Sequence, residues 1–320
     1  MLMPTITVLD GNTTNPGDLA WDELASLGTL TVYDRTPQGK VVERAAGADI
    51  VLTNKTVLDA AILAQLPRLR CISVLATGYN IVDIQAAKAR GITVCNVKGY
   101  ASRAVAQHVF AFLLEFMNGI SRHDRHVQGG GWATSPDFSY TLFPTRELAG
   151  KTLGIYGFGK IGQQVAVVGN AFGMKVVAHS NHPPSDAWPA VTFLTFEEML
   201  KTSDVVTLHA PLSAQNEGII NQHTLSLMKT SALLINTGRG GLINEPDLKW
   251  ALENDGIAGA GLDVLSAEPP ANGNILTGIK NCLITPHNAW ATKESRQRLL
   301  HESAGNVRAF LAGNPVNLVQ

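Results

Sequence analysis

Short apolar runs alternate with amphipathic stretches along the first third of the chain. The apolar runs have the length of β-strands and lie at Thr5 to Leu9, Leu30 to Tyr33, Ile50 to Thr53, Arg70 to Leu75 and Thr93 to Cys95. Helical patterns fit between them, for example at Thr56 to Gln65 and at Ile81 to Arg90. Strands that alternate with helices predict a parallel sheet with crossover helices, so this part of the chain should be one α/β unit.

A second alternating series follows a long helical pattern in the middle of the chain. That pattern covers Ser102 to Arg125, and a polar, glycine- and aromatic-rich stretch from Gln128 to Gly150 comes after it. The strand candidates of the second series are Leu153 to Tyr156, Lys175 to His179, Val191 to Leu194, Asp204 to His209, Ala232 to Asn236, Gly259 to Asp263 and Cys282 to Thr285. A last helical pattern runs from about Thr292 to Ala312. The two series predict an α/β protein with two doubly wound parallel-sheet lobes and a cleft between them.

A glycine-rich turn separates the strand candidate Leu153 to Tyr156 from a helical pattern at Gln163 to Phe172. The turn reads Gly157-Phe158-Gly159-Lys160-Ile161-Gly162, a G-x-G-x-x-G motif. In this context Gly157 permits the tight turn, Gly159 lets the backbone approach a pyrophosphate, and Gly162 lets the helix pack closely on the strand. The helix N-terminus would offer unpaired N–H groups to the phosphates. An ordinary glycine-rich turn is the alternative, but the order strand, glycines, helix favours a dinucleotide site.

Length, charge and cysteine usage exclude several classes of protein. The 320 residues suffice for two domains, and 45% hydrophobic against 16% charged residues can fill large cores. A net charge of −1 without a basic cluster disfavours nucleic acid as a partner. The sequence has no apolar run of membrane-spanning length and begins with a strand, so we expect a soluble, cytoplasmic protein without a membrane partner. Cys71, Cys95 and Cys282 are far apart in apolar runs, which predicts buried thiols and neither disulfides nor a metal site.

Three polar residues that could carry chemistry follow strands of the second series. Arg239 lies in a loop of small residues, Glu268 stands before Pro269-Pro270, and His287 follows the last strand. Ligands of doubly wound sheets bind beyond the carboxyl ends of the strands, so the three side chains could meet in one cleft. An Arg fork fits a carboxylate, a His can transfer a proton near neutral pH, and a neighbouring Glu favours imidazolium. Alone, Arg239 could be a surface residue, His287 a helix N-terminal residue and Glu268 an ordinary loop residue. Together they predict reversible reduction of a 2-keto acid.

The motifs of the chain resemble those of the D-isomer-specific 2-hydroxyacid dehydrogenases. They occur in the order of that family, over about residues 50 to 311, as VLATGYNIVD, CNVKGYASRAVAQHV, GKTLGIYGFGKIG, LHAPL, INTGRGGLIN, GLDVLSAEPP and LITPHNAW. A weaker resemblance, carried by Trp132, Ser135, Phe138 and Tyr140, points to the glycerate dehydrogenase (hydroxypyruvate reductase) branch.

The resemblance implies a role for each candidate residue. Arg239 would anchor the substrate carboxylate, and His287 would donate a proton to the carbonyl with Glu268 as its partner. Thr77-Gly78-Tyr79 would offer backbone N–H groups to the substrate carboxylate. Asp263 would hold the nicotinamide amide, and His209-Ala210-Pro211 would line the adenosine side. The remaining cofactor-binding residues would be Gly157, Phe158, Gly159, Lys160, Ile161, Gly162, Ser180, Thr237 and Gly238.

The resemblance also implies how the chain is divided and assembled. Residues 1–99 plus 288–320 would form a discontinuous, flavodoxin-like substrate-binding domain, and residues 100–287 an NAD(P)-binding Rossmann domain. The long helix from Ser102 to Arg125 would contribute to a homodimer.

The chain departs from the family pattern at two positions inside the quoted motifs and at the expected ribose-binding position. Gln107 stands where the family often has Glu, and Asn288 where an apolar residue is common. An Asp or Glu is expected about 20 residues past the glycine motif, where it would bind the ribose 2′-OH. The chain has His179-Ser180-Asn181-His182 there, without a carboxylate or an Arg. We therefore expect NAD or NADP as cofactor, with weak discrimination between them.

The leading hypothesis is an NAD(P)-dependent D-2-hydroxyacid dehydrogenase that reduces a small 2-keto acid such as hydroxypyruvate or glyoxylate. The alternative from another class is a corepressor of the C-terminal-binding type, which resembles the same family and senses a dinucleotide. The chain lacks the extra tail expected of such a corepressor. Formate dehydrogenases are also similar, but they carry Gln at the position of Glu268.

Overall fold

The chain forms two compact units, one of which contains both ends of the chain. The first unit comprises Met1–Ala101 and Ala291–Gln320, and the second comprises Ser102–Trp290. The structure, a computed structural model, describes residues 3–184, 188 and 190–319. The predicted domains also contain residues 1, 2, 185–187, 189 and 320, which lie outside the described residues. Each unit is built on a sheet whose strands are all parallel, so the predicted fold class is confirmed.

The first unit contains a five-stranded sheet. Its strands are β1 (Thr5–Val8), β2 (Thr29–Val32), β3 (Ile50–Thr53), β4 (Cys71–Val74) and β5 (Thr93–Cys95). They lie in the order β2-β1-β3-β4-β5. Strands β3 and β4 are buried at every residue because helices cover both faces of a parallel sheet, and this explains their uninterrupted apolar sequences.

The second unit contains a seven-stranded sheet. Its strands are β6 (Thr152–Tyr156), β7 (Lys175–His179), β8 (Val191–Phe193), β9 (Val205–Leu208), β10 (Leu233–Asn236), β11 (Gly259–Leu262) and β12 (Cys282–Ile284). The order β12-β11-β10-β9-β6-β7-β8 reverses direction between β6 and β9, so the carboxyl ends of these two strands form a topological switch point. Hydrophobic cores cover the two faces of this sheet. In both units every predicted strand is confirmed to within one residue at each end.

The helices connect the strands and cover the sheets. They are α1 (Gly11–Thr14), α2 (Asp22–Ala25), α3 (Val41–Ala45), α4 (Ala60–Ala64), α5 (Ile84–Ala89), α6 (Ser102–Asn118), α7 (Ile120–Gln128), α8 (Lys160–Ala171), α9 (Phe196–Thr202), α10 (Gln222–Ser226), α11 (Glu245–Glu253) and α12 (Lys293–Leu311). Within the part of the chain that the structure describes, none of these helices is long and apolar enough to cross a membrane.

The predicted single helix from Ser102 to Arg125 is wrong, because the chain forms two helices there. The break is at Gly119, which adopts a left-handed conformation with φ of +53°. The ring of Phe143 lies directly against Gly119, where a Cβ atom would collide with it. Glycine tolerates the left-handed conformation and the close contact at no steric cost, so α6 ends before Gly119 and α7 begins after it.

Two other predicted helix starts are corrected by capping residues. Asp59 accepts a hydrogen bond from the N–H of Ile62 at 2.8 Å, and Asp83 caps α5 in the same way. The helices therefore begin after these residues and not at Thr56 and Ile81. The last predicted helix is confirmed to within one residue at each end.

The three cysteines are free thiols, as predicted. Cys71 and Cys95 are buried in β4 and β5, but Cys282 is only half-buried because β12 is an edge strand. Among residues 3–184, 188 and 190–319, no group of three or more His, Cys, Asp or Glu side chains could hold a metal ion.

Candidate active site

The glycine turn lies at the switch point of the seven-stranded sheet, beside the loop that follows β9. Gly157 has φ of +94°, and a Cβ atom there would lie 2.4 Å from the backbone nitrogen of Ala210. A Cβ atom on Gly162 would lie 2.3 Å from the carbonyl oxygen of Gly157. Only glycine fits at these two positions, whereas a Cβ atom on Gly159 would meet nothing within 4 Å. This geometry matches the three roles expected of the motif: turn, open approach and close packing.

The other residues of the turn point in different directions. Phe158 is buried and packs edge-on against the ring of Phe193, so only its backbone is available to a cofactor. Lys160 is exposed and Ile161 half-buried. Lys160 is also the first residue of α8, which starts earlier than the predicted Gln163, so the helix N-terminus reaches the turn itself.

Two buried polar atoms beside this turn have no hydrogen-bond partner among the described residues: Nδ1 of His209 and Oγ1 of Thr237. The second nitrogen of His209 lies 2.9 Å from Oγ1 of Thr207. Burial lowers the pKa of His209 to about 3, so its imidazole is neutral at physiological pH. Buried polar groups are normally paired, and unpaired ones at a glycine cradle fit a polar ligand such as a dinucleotide.

The loop after β9 and the loop after β10 lie side by side next to the turn. The carbonyl oxygen of Pro211 accepts a hydrogen bond from Asn216 at 2.8 Å, which closes the loop after β9. A Cβ atom on Gly238 would lie 3.1 Å from the carbonyl oxygen of Leu208 and 3.8 Å from that of Ala210. The residues predicted to bind cofactor from these two loops are therefore neighbours.

The end of β7 carries the residues expected near the ribose. Ser180 accepts a hydrogen bond through Oγ from the N–H of His182 at 3.2 Å. The ring of His179 lies parallel to that of Tyr156, with centroids 5.9 Å apart, and its Nδ1 is 3.1 Å from the carbonyl oxygen of Leu194. His179 is thus engaged with the protein, while Ser180 keeps a hydroxyl proton that it can donate.

Glu268 and His287 form a close side-chain pair at the carboxyl edge of the sheet. Oε2 of Glu268 lies 2.6 Å from Nδ1 of His287, and Oε1 accepts a hydrogen bond from the N–H of Leu265 at 2.9 Å. The carboxylate is held by its own loop, and it in turn orients the imidazole. Nε2, on the opposite side of the ring, is the nitrogen available for proton transfer.

Arg239 follows β10, which lies next to β11, and its loop is held in place by Asn236. The side chain of Asn236 donates to the carbonyl oxygen of Arg239 at 2.8 Å and accepts from the N–H of Gly238 at 3.0 Å. The next residue, Gly240, lies so close to the backbone of Leu265 that a Cβ atom would be 2.0 Å away. The arginine loop therefore packs against the loop that carries Glu268, and the guanidinium itself is exposed.

Asp263 has a different environment from the one its predicted role suggested. Its side chain is only 1% exposed, and it accepts hydrogen bonds from Oγ1 of Thr285 at 2.6 Å and from the N–H groups of Asn288 and Ala289 at 2.9 Å. Its carbonyl oxygen also accepts from the N–H of His287 at 2.8 Å. Asp263 thus holds the loop of His287, and the contact to the nicotinamide amide stays a prediction.

Sequence reasoning missed two residues that complete this network. Nε2 of His108, on α6, lies 3.0 Å from Oγ1 of Thr285, which in turn donates to Asp263. Both residues stand inside motifs that resemble the family, but the pattern alone did not show that a helix far along the chain meets the last strand.

The turn predicted to bind the substrate carboxylate lies in the first unit. Thr77 donates through Oγ1 to the carbonyl oxygen of Val97 at 2.8 Å, and the carbonyl oxygen of Tyr79 accepts from the N–H of Val82 at 3.0 Å. No described residue accepts a hydrogen bond from the N–H groups of Thr77, Gly78 or Tyr79. Such a row of unpaired N–H groups suits an anion.

A doubly wound sheet with a glycine cradle at its switch point and a Glu–His pair at its carboxyl edge defines a nicotinamide-dependent oxidoreductase. Residues 110–289 match the family model of the D-isomer specific 2-hydroxyacid dehydrogenase, NAD binding domain. The chain belongs to the D-isomer-specific 2-hydroxyacid dehydrogenase family, and it is an enzyme that binds a nicotinamide dinucleotide.

Relatives along the whole chain agree with this assignment. A hydroxypyruvate reductase of Blautia hydrogenotrophica is 43% identical over 318 residues, covering 98% of this chain and 99% of the relative. A glycerate dehydrogenase of Methylorubrum extorquens is 43% identical over 287 residues, covering 89% of each chain. The structure of an acyclic imino acid reductase in complex with NADPH and D-Arg superimposes with a TM-score of 0.86 at 32% identity, covering 99% of this chain and 100% of that one. These comparisons give no support to the corepressor alternative.

Proposed function

We propose that the enzyme reduces hydroxypyruvate, and glyoxylate as a second substrate, to the corresponding 2-hydroxy acid, with Arg239, Glu268 and His287 as its catalytic residues. The observation that carries the proposal is the 2.6 Å contact between Glu268 and His287, at the sheet edge from which Arg239 also emerges. The named hydroxypyruvate reductase, matched over 99% of its length, and the glycerate dehydrogenase, matched over 89%, support this substrate class.

In this mechanism the bound dinucleotide supplies the hydride for the carbonyl carbon. His287, protonated and held through Nδ1 by Glu268, donates the proton from Nε2 to the carbonyl oxygen. Arg239 binds the substrate carboxylate with its planar fork. Within the first unit, the N–H groups of Thr77-Gly78-Tyr79 are the proposed donors to a carboxylate. In the oxidative direction neutral His287 takes the proton back from the hydroxyl group.

For the cofactor site, we assign the pyrophosphate to Gly157–Gly162 and the adenosine side to Ser180 and His209-Ala210-Pro211. The buried Oγ1 of Thr237, beside Gly238, would serve a polar group of the dinucleotide. Asp263 would reach the nicotinamide amide only with oxygens that already hold the His287 loop. By these assignments the second unit binds NAD(P) and carries the catalytic residues, and the first unit offers N–H groups to a carboxylate.

The substrate proposal is tested with a panel of 2-keto acids, by following the absorbance of NADH and NADPH. We expect the highest catalytic efficiency with hydroxypyruvate, lower efficiency with glyoxylate, and D-glycerate as the product of the former. Arg239→Lys should lose on the order of 10²-fold in efficiency, because a point charge does not reproduce two parallel hydrogen bonds. Arg68→Lys, at an exposed arginine of the first unit, is the control and should behave like wild type. No turnover with any 2-keto acid would refute the proposal.

We further propose that the enzyme uses both NADH and NADPH. Ser180 stands where a carboxylate would repel a 2′-phosphate, and its hydroxyl can donate to either a phosphate or a 2′-OH. Ser180→Asp should therefore lower the efficiency with NADPH much more than that with NADH, with Ser226→Asp, at an exposed serine of α10, as the control. A wild-type enzyme that is already strict for NADH would show that other contacts discriminate.

A homodimer is the proposed assembly, with α6 and α7 in the interface. Large apolar side chains are exposed on and just after α7: Ile120 is 68% exposed, Trp132 52% and Phe138 92%. Exposed apolar groups at this density are typical of surfaces that another chain covers. Light scattering coupled to size exclusion should give about twice the 34.1 kDa of one chain, and Phe138→Glu should shift the mass toward that of the monomer.

The proposed location is the cytoplasm. The free cysteines of the chain fit the reducing conditions there.

A further inference from the structure

Two asparagine side chains hold the turn after β4 from opposite sides. Nδ2 of Asn54, in the loop after β3, donates to the carbonyl oxygen of Leu75 at 2.5 Å. Nδ2 of Asn96, in the loop after β5, donates to the carbonyl oxygen of Thr77 at 2.6 Å. Strands β3 and β5 are the two neighbours of β4, so the turn is held by the strand ends on either side of it. We call these two contacts the asparagine clasp.

The clasp determines where the N–H groups of the turn point. A carbonyl and the N–H of the following residue belong to one planar trans peptide and point in opposite directions. The carbonyl of Leu75 therefore sets the N–H of Ala76, and the carbonyl of Thr77 sets the N–H of Gly78. Between them, the carbonyl of Ala76 accepts from the N–H of Val97 at 3.1 Å, which sets the N–H of Thr77. The carbonyls of Ala76 and Thr77 are turned to the loop after β5, so the N–H groups of Thr77 and Gly78 face away from that loop. The carbonyl of Leu75 is turned to the loop after β3, so the N–H of Ala76 points the other way.

The clasp leaves buried polar atoms of both asparagines without partners. Oδ1 of Asn54 and Oδ1 of Asn96 are both buried and have no hydrogen-bond partner within the described part of the chain. Turning either amide over would place its oxygen against a carbonyl oxygen, so the observed orientation is the one that donates. An unpaired buried acceptor costs free energy, and its presence at both residues that flank one turn indicates a functional constraint.

Each asparagine is itself held rigidly. Asp10 accepts hydrogen bonds from the N–H groups of Asn54, Lys55 and Thr56 at 2.8, 2.6 and 2.8 Å. On the other side, the backbone of Asn96 donates to the carbonyl oxygen of Asn317 at 3.1 Å and accepts from Nδ2 of Asn306 at 3.0 Å. The turn between them therefore has little freedom to reorient its peptides.

We propose that Asn54 and Asn96 are positioning residues for substrate binding: Asn96 orients the N–H group of Gly78 toward the carboxylate of the 2-keto acid, beside that of Thr77, and Asn54 fixes the peptide that precedes them. The inference rests on the proposed function, in which this turn binds that carboxylate. Neither asparagine needs to touch the substrate. Their effect is to pre-organise hydrogen-bond donors, so that the anion binds without reordering the turn.

The experiment compares Asn54→Ala, Asn96→Ala and the double variant with wild type. The matched control is Asn281→Ala, which removes an amide that donates to the carbonyl oxygens of Leu252 and Ala258 in the second unit. For each protein we would measure kcat and KM for hydroxypyruvate, inhibition by oxalate as an unreactive anion, the Kd of NADH and the thermal unfolding midpoint. All variants are neutral, so no charge is added near the substrate anion.

We expect KM for hydroxypyruvate and the inhibition constant of oxalate to rise together, by about tenfold to a hundredfold, because hydrogen bonds to a charged group are lost. The rise should exceed the fall in kcat, the Kd of NADH should stay unchanged, and the double variant should be affected most. Asn281→Ala should lose stability without a change in KM.

Unchanged KM and oxalate inhibition in both single variants would overturn the positioning role while leaving the proposed function intact. A loss of kcat and of NADH affinity in proportion to lost stability would overturn it as well, because that pattern is purely structural. A wild-type enzyme that turns over no 2-keto acid would overturn both proposals. If Asn96→Ala cannot be purified, Asn96→Ser is measured in the same way, and an unchanged KM there has the same meaning.

Discussion

At the scale of single residues, the candidate active site is organised by groups that hold other groups. Glu268 holds the ring of His287, and Asp263 holds the backbone of the loop that carries this histidine. Asn236 does the same for the loop of Arg239. The side chains that would touch substrate, half-buried His287 and exposed Arg239, are thus held by hydrogen bonds to or around the buried residues Asp263 and Asn236 and by Glu268. Replacing a side chain that would touch substrate and replacing a residue that holds it in place should therefore have different effects on the reaction.

His287→Ala tests the role of this histidine as proton donor. General acid catalysis contributes about 10²–10⁴-fold, so kcat for hydroxypyruvate reduction should fall by about that factor. The Kd of NADH, followed by fluorescence titration, should change little because the histidine is not among the proposed cofactor residues. His301→Ala, at an exposed histidine of α12, is the control. Near wild-type turnover of His287→Ala would show that another group supplies the proton.

Glu268→Gln tests the partner of the histidine. A carboxylate beside an imidazole stabilises the protonated imidazolium, and reduction requires that form. The neutral amide removes this stabilisation, so the pH at which the reduction rate falls to half its maximum should move to a lower value. The measurement is kcat/KM for hydroxypyruvate as a function of pH for both proteins. Superimposable profiles would rule out an electrostatic role for Glu268.

At the scale of secondary-structure elements, the glycines decide where strands and helices change direction. Gly119 separates α6 from α7, and Gly157 turns the chain from β6 into the loop before α8. Capping residues set the other helix starts, such as Asp59 for α4. The element boundaries therefore depend on single residues, while the elements themselves depend on longer patterns.

Gly157→Ala and Gly159→Ala form a matched pair for the glycine turn. At Gly157 the new methyl group would collide with the backbone of Ala210 at positive φ, so this variant should unfold at a markedly lower temperature. At Gly159 it would meet no protein atom within 4 Å, so the thermal midpoint should be nearly unchanged. The Kd of NADH should nevertheless rise for Gly159→Ala, because the methyl group would occupy the space that the pyrophosphate approaches. Unchanged NADH affinity there would place the pyrophosphate elsewhere.

At the scale of the whole molecule, the first unit is assembled from both ends of the chain. Arg296 on α12 pairs with Asp18 through two hydrogen bonds of 2.7 and 2.8 Å. The carboxyl-terminal segment also joins the sheet, since Leu318 forms an antiparallel bridge with Cys95 of β5. These contacts connect residues that are far apart in sequence, so the unit depends on an intact chain end.

Asp18→Asn tests one of these connections through its pH dependence. The Arg296 guanidinium holds the pKa of Asp18 below its ordinary value of 3.8, so the folded state favours the carboxylate. The resulting stability is fully present above pH 3.8 and is lost as the pH falls through the lowered pKa. The variant should therefore have a lower free energy of unfolding than wild type at pH 7, and the difference should shrink in acid. Urea unfolding measures the free energy of unfolding of both proteins at each pH. Asp22→Asn is the control, since the side chain of Asp22 forms no ion pair with a described residue. A difference that is constant with pH would exclude the ion pair as its cause.

Local patterns in the sequence were sufficient for the strands, the glycine turn and the membership in a family. A strand such as Lys175–His179 is recognisable because its apolar residues form one short run, and the glycine motif is contiguous. The same patterns failed at Ser102 to Arg125, where helical periodicity continues across Gly119 and only the ring of Phe143 shows why the helix breaks. They also failed at Thr56, which was predicted to begin a helix. Its N–H donates a hydrogen bond to Asp10, and the residue lies outside α4.

What the sequence by itself determined is therefore the order of the strands, the place of the glycine turn and the chemical identity of the candidate site residues. No local pattern showed which of these residues meet: the resemblance to the family implied the pair of Glu268 and His287, and the tertiary structure shows their contact. Glu268 and His287 are 19 positions apart, and Asn54 reaches the strand end at Leu75 across 21 positions. The reason is physical: such contacts form where the carboxyl ends of neighbouring strands converge, and the order of strands in a sheet is set by the packing of the whole chain.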